Sequence, residues 1–319
     1  VDENTFVIPE QWWPHIHQRR GGRLREVKPI DTEAEKFFQA ELERVLPSWP
    51  SSVDDPALLA EARAYADGEA NPFGAALGAC LVLRAYSYDE REKLDILADA
   101  WTTRHGLAFA ARAAVELGRV DLKPKDVGSD KWVLGITKPD EAFYLWPGHV
   151  LTRARELLAA ASDDEYAEAV AAIEDQRADL LTRSIAAYLA PDREDWVDEL
   201  CALAVKRGGP KTDWTMLLCS IGTAEQFEAL AAVGRVREYV DYLNVLYTVA
   251  DGVGPAIAPT LARLLDRKPN NKTMLDMLAR FPTDEAFDLL LARSGTKRAP
   301  AAIEAATARF PERAAARRS

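Results

Sequence analysis

The only close pair of histidines in the chain is His15-Ile16-His17. Side chains alternate along an extended strand, so both imidazoles would face one side and could hold an ion. A zinc site needs a third and fourth ligand, and His105 and His149 lie far off in sequence. The pair is therefore read as structural or surface histidines, and no metal or cofactor is expected. A second constellation is aromatic and basic: Trp12 and Trp13, then Arg19, Arg20 and Arg23 around Gly21-Gly22. Aromatics beside arginines could stack bases and neutralise phosphates. The preferred reading is an N-terminal arm whose tryptophans pin it to the first helices while its arginines pair with an acidic body. These five residues form the candidate interaction surface. Gly21-Gly22 is not a phosphate loop, because no strand precedes it and no Lys-Ser/Thr follows. The carboxylates Asp163-Asp164-Glu165, and Asp192, Glu194 and Asp195 before Trp196, sit at expected helix starts, where the helix dipole favours negative charge. No Ser-His-Asp, Cys-His or metal-finger spacing is recognisable, so no catalytic residue is assigned.

Charge limits the partners. The net charge is −11 over 319 residues, unevenly spread. Residues 15–28 carry +4, and residues 263–319, with 12 basic and 7 acidic side chains, carry +5. Residues 29–262 therefore hold −17. An acidic body repels nucleic acid phosphate, which makes another domain of the same protein, or a protein partner, the expected ligand. Cys80, Cys201 and Cys219 are odd in number and far apart, so they read as reduced core residues of a cytoplasmic protein. No uninterrupted apolar run approaches the roughly 18 residues of a membrane span, and Phe73–Val82 reads as a buried helix.

The elements that must position these residues are helical. Residues 1–30 form an irregular arm punctuated by Pro9, Pro14, Gly21, Gly22 and Pro29. Residues 31–117 read as a helical region, with Asp31 or Thr32 and then Asp55-Pro56 as helix starts. Residues 118–148, rich in Gly and Pro, read as a long connection with a short strand or hairpin near Trp132–Ile136. Helices resume from Val150 over 149–319, including one expected to run unbroken from Asp163 to Leu189 and be ended by Pro191. Ala279-Arg280-Phe281-Pro282 returns as Ala308-Arg309-Phe310-Pro311, and Leu217–Leu230 aligns without a gap on Met277–Leu290. A period near 30 indicates stacked helix pairs, which places Thr223 and Thr283 at equivalent N-caps and Phe227 and Phe287 in equivalent buried positions. The last repeat looks truncated, so Ile303, Ala306 and Phe310 are expected to be partly exposed.

Several strings resemble the MolR-like proteins, large bacterial chains of unknown function that sometimes carry a WGR domain. They are Ile8-Pro9-Glu10-Gln11-Trp12 with Arg19-Arg20-Gly21-Gly22, Tyr188-Leu189-Ala190-Pro191 with Trp196-Val197 and Cys201, and the two Arg-Phe-Pro copies. The resemblance implies the N-terminal part of a larger protein and brings no catalytic residue. The sequence thus points to an all-α fold. Its second half is a HEAT-like helical-repeat solenoid, and its first half an irregular helical region behind an extended arm. The expected role is a non-catalytic scaffold or protein-interaction module. The alternative is a HEAT-like nucleic-acid binder or a DNA glycosylase-like enzyme, with Trp12, Trp214 and the basic tail as its only candidates.

Overall fold

The computed structural model describes residues 3–22, 26–49, 55–126, 131–137, 148–206, 215–233 and 242–317. Arg23 and Trp214 lie outside these residues. The fold is all-α, with one two-stranded antiparallel sheet among the described residues. The chain divides into two compact bodies. One comprises His17–Leu200 and Pro210–Ser220, the other Val1–Ile16, Cys201–Gly209 and Ile221–Ser319.

The first body opens with α1 (Ala34–Val45), α2 (Pro56–Ala66) and α3 (Pro72–Ala85). Asp55 caps α2 by accepting from the Ala57 and Leu58 amides, with Pro56 in the first turn. Asn71 does the same for α3 ahead of Pro72. Neither Asp31 nor Thr32 is the N-cap of α1; Glu33 is, and Asp31 instead accepts from its amide at 2.9 Å. Helix α3 is apolar almost all round and lies at the centre, between α2 and α5. Gly74 lets α2 pass close by, since a Cβ there would strike the Glu61 carbonyl oxygen. Next come α4 (Ile96–His105) and α5 (Leu107–Arg119), joined at Gly106 with φ +87°. The segment expected to hold a short strand or hairpin holds a hairpin, β1 (Val120–Pro124) paired with β2 (Trp132–Ile136) from Val120↔Ile136 to Pro124↔Trp132.

Helix α6 (His149–Ala160) packs on α4 and α5. The single long helix expected from Asp163 to Leu189 is two: α7 (Asp163–Glu174) and α8 (Leu180–Leu189). Asp179 breaks it by capping α8, accepting from the Thr182 amide at 3.0 Å, while Thr182 Oγ1 accepts from the Asp179 amide. No Gly or Pro marks the break, so it escapes a search for helix breakers. Helices α9 (Glu194–Lys206) and α10 (Thr215–Leu218) follow.

The second body stacks α11 (Ala224–Ala232), α12 (Leu243–Val253), α13 (Ala258–Leu265), α14 (Lys272–Leu278), α15 (Asp284–Leu291), α16 (Ala299–Arg309) and α17 (Pro311–Ala316). From α13 onward helices touch both the next element and the one after it, as in α13–α15 and α14–α16. That is the contact pattern of stacked helix pairs. The period read from the sequence holds in detail. Thr223 and Thr283 each accept from the third residue on, Gln226 and Ala286, both at 3.2 Å. Phe227 and Phe287 are buried on α11 and α15. The expected exposure at the last repeat is corrected: Ala306 and Phe310 are buried and only Ile303 is half-exposed. Helix α17 folds back on α16 and buries Ala314. Glu3 reaches α17 as well, accepting from the Glu312 amide at 3.1 Å. Leu243–Leu265 has the length and hydropathy of a membrane span. It is interrupted by Gly254, φ +58°, and Pro255, and 67% of its most apolar 18-residue window is buried among the repeats.

Candidate functional site

Helix α6 carries Thr152-Arg153-Ala154-Arg155-Glu156, charged yet deeply buried. Two arginines two residues apart point to different sides of a helix. Each clamps one part of the segment that crosses the first body from His17 to Asp31. Arg155 donates from Nε to the Gln18 carbonyl at 2.5 Å and from its terminal nitrogens to the His17 and Tyr188 carbonyls at 3.1 and 3.0 Å. Its guanidinium also lies over the Tyr188 ring, 4.8 Å from the centroid. Arg153 donates to the Lys28 carbonyl at 2.7 Å and to Asp99 Oδ1 at 2.7 Å. Asp99 is itself fully buried on α4 and accepts from the Asp31 amide at 3.0 Å. The planar fork of arginine suits such multiple carbonyl and carboxylate contacts. Tyr188 completes the cluster through hydrogen bonds to His17 Nδ1 at 3.0 Å and Thr152 at 3.2 Å. Burial, partly offset by Arg155, pushes the Tyr188 phenol well above its ordinary pKa, so it stays neutral. These groups hold a segment in place.

Beside that segment is a cleft of ≈ 320 Å³, bounded by Val27–Ile30, by Thr102 and Leu107, and by the α6–α7 corner from Leu157 to Glu165. Its one cation is Lys28, which pairs with Asp95 at 3.5 Å. Glu165 and Ser162 close a capping box at the start of α7, which holds the Glu165 carboxyl below the usual range. The cleft is small and mostly apolar, and its polar groups are already used by the fold.

The arm residues singled out by the sequence separate. Trp12 is buried in the second body and stacks on Tyr247 of α12, ring centroids 4.5 Å apart and planes 12° apart. It pins the arm to the repeats, where the sequence suggested the first helices. Phe6 lies edge-on to Phe281 at 5.0 Å. Trp13 and Arg19 are half-buried. Arg20 pairs with Asp163, donates to the Ala161 carbonyl at 2.6 Å, and lies 4.5 Å over the Tyr166 ring. The two histidines part company, His15 exposed with its ring 5.8 Å from Tyr247 and His17 buried on Tyr188. The chain between them is not a strand. No cluster of three metal-capable side chains occurs among the described residues. Trp196 is buried between the guanidiniums of Arg177 and Arg193, at 4.3 and 4.2 Å, the latter also bonded to Asp195. The sequence missed Arg153, Arg155 and Asp99. The available signal was their placement inside otherwise apolar helical patterns, where a charge must be paired if it is buried.

Fold and site together define a helical protein that contains stacked repeats and fastens an irregular segment with buried arginines. Residues 34–238 match the YehI second-domain family, more than half of the chain, and the chain belongs to that family. This corrects the MolR-like resemblance. Two of its three strings, at 8–22 and at the Arg-Phe-Pro copies, lie outside the matched segment. Those strings are rich in residues the fold uses for packing, such as Trp12, Phe281 and Phe310. No curated protein and no solved structure matches the chain.

Proposed function

We propose that the chain is a non-catalytic helical-repeat module that binds a protein partner or another domain of a larger bacterial protein. The observation that carries this is how the fold employs its reactive groups. Arg153, Arg155, Asp99, His17 and Tyr188 secure a crossing segment, and Asp163 and Glu165 serve the start of α7. What remains for function is surface, which is how stacked repeats usually act. The name of the matched family, a second domain, fits a place within a longer protein. The three described cysteines are free thiols, which fits a cytoplasmic location. The nucleic-acid reading loses Trp12, whose buried ring has no face left for a base.

The test is affinity capture of the tagged chain from its bacterial host, followed by reconstitution from purified components. A specific partner that binds the purified chain is the expected result. Failure to retain any partner, or turnover of a base-damaged DNA duplex by the pure chain, would overturn the proposal.

A further inference from the structure

The arginines of the repeats fall into two sets. Arg293, Arg313 and Arg317 each reach back about one repeat to a carboxylate: Arg293 to Asp266 at 2.6 Å, Arg313 to Asp284, and Arg317 to Asp288. Arg280 and Arg309 do not. They are the equivalent arginines of the two Ala-Arg-Phe-Pro copies, so the repeat sets them at the C-terminal ends of α14 and α16, which pack together. A helix dipole favours a cation at each end taken singly. It does not explain two like charges at equivalent, packed helix ends, neither with a salt-bridge partner among the described residues, where Arg293, Arg313 and Arg317 each have one. Arg280 is half-buried, and burial and then the charge of Arg309 push its pKa down, against the pull of Asp276 and Tyr247. Tyr247 stands near Arg280, braced by Trp12, with the exposed His15 ring tilted against it at 5.8 Å.

We propose that Arg280 and Arg309, flanked by Tyr247 and His15, form a docking site for an acidic polypeptide segment, each guanidinium receiving one carboxylate. This rests on the interaction-module reading and names the chemistry of the partner. Charge complementarity selects it, since residues 263–319 carry +5. Packed helices lie about 8–10 Å apart. An extended chain rises about 3.3 Å per residue, so carboxylates two or three residues apart match that spacing better than one phosphate does.

The experiment titrates the full chain into a fluorescein-labelled peptide of alternating Glu and Ser and follows anisotropy at low salt. Arg280→Gln with Arg309→Gln should weaken binding by about tenfold or more. Arg267→Gln with Lys297→Gln removes the same charge from exposed positions and should change it by about twofold or less. Arg309→Gln alone, at an exposed position, should weaken binding while leaving the melting temperature unchanged or raised, because it removes a like-charge neighbour. Equal losses in the two double variants would overturn the site, as would displacement of the peptide by inorganic phosphate at millimolar levels. Self-association of the wild type that disappears in R280Q/R309Q would overturn it too, by making a second copy the occupant. If a host partner binds wild type and R280Q/R309Q alike, the site fails and the module reading stands. If no partner binds at all, the module reading itself fails.

Discussion

Arg155 shows how a single side chain can fix a segment that has no regular structure of its own. It is fully buried and donates to three backbone carbonyls. Removing it takes that donor from each of them, at about 1–3 kcal/mol each. Arg155→Met should therefore cost at least about 3 kcal/mol in urea unfolding, and Arg155→Lys should rescue little, because an ammonium cannot reproduce the fork. A loss under about 1 kcal/mol would show that the segment is held by other means. A second residue-scale effect appears at alkaline pH. Burial, with Asp121 adding to it, raises the Cys80 thiol from 9.0 to about 12, and burial raises the Tyr65 phenol from 10.0 to about 12. Both groups bind their protons more tightly when folded. Their stabilisation is complete below the unfolded values and is lost as pH rises from about 9 to about 12. The melting temperature should fall across that window, and Cys80→Ser with Tyr65→Phe should flatten the fall. A slope identical in wild type and variant would locate the alkaline loss elsewhere. Neither effect was legible in the sequence, since the partners of Arg155 lie 33 to 138 positions away.

Elements were more legible where one residue type carries the instruction. Proline in the first turn with Asp55 or Asn71 ahead of it places α2 and α3 where the sequence puts them. The repeat phase was legible for the same reason, because Thr223 and Thr283 perform one task in two copies. If they are equivalent, Thr223→Ala and Thr283→Ala should each lower stability by about 1 kcal/mol, and replacement by Ser should restore most of it. A loss confined to one of the two, read from denaturant midpoints, would undo the equivalence. The boundary at Asp179 escaped notice because aspartate is an unremarkable residue in an exposed helix pattern and becomes a cap only once Thr182 answers it. Residues 118–148 showed their glycines and prolines, but the pairing of Val120 with Ile136 depends on a register that no local signal states.

At the scale of the molecule, each body is closed by chain that contributes no helix to the stack. In the second body that chain is the start of the arm. Glu3 bonds the amides of Glu312 and Arg313, Phe6 meets Phe281, and Trp12 lies on Tyr247. The sequence foresaw an arm pinned by tryptophan, but not that its anchors are Phe281, Tyr247 and α17. Those contacts join residues more than 200 positions apart, and a period of 29 says nothing about what covers the stack. Burying a side chain of this size contributes roughly 1.5–3 kcal/mol. Trp12→Ala should accordingly cost about 3–5 kcal/mol, whereas Trp12→Phe, which keeps a ring on Tyr247, should cost clearly less. Hydrogen exchange localises the effect. Trp12→Ala should speed exchange in α12 and α14, while Arg155→Met should speed it around His17, Gln18, α6 and α8. Removing residues 3–13 should go further, lowering the melting temperature and raising the binding of an apolar dye as Phe281 and Tyr247 lose their cover. If the trimmed chain melts with the wild type and binds no more dye, the arm is an accessory, and the repeats must bury Phe281 by packing among themselves.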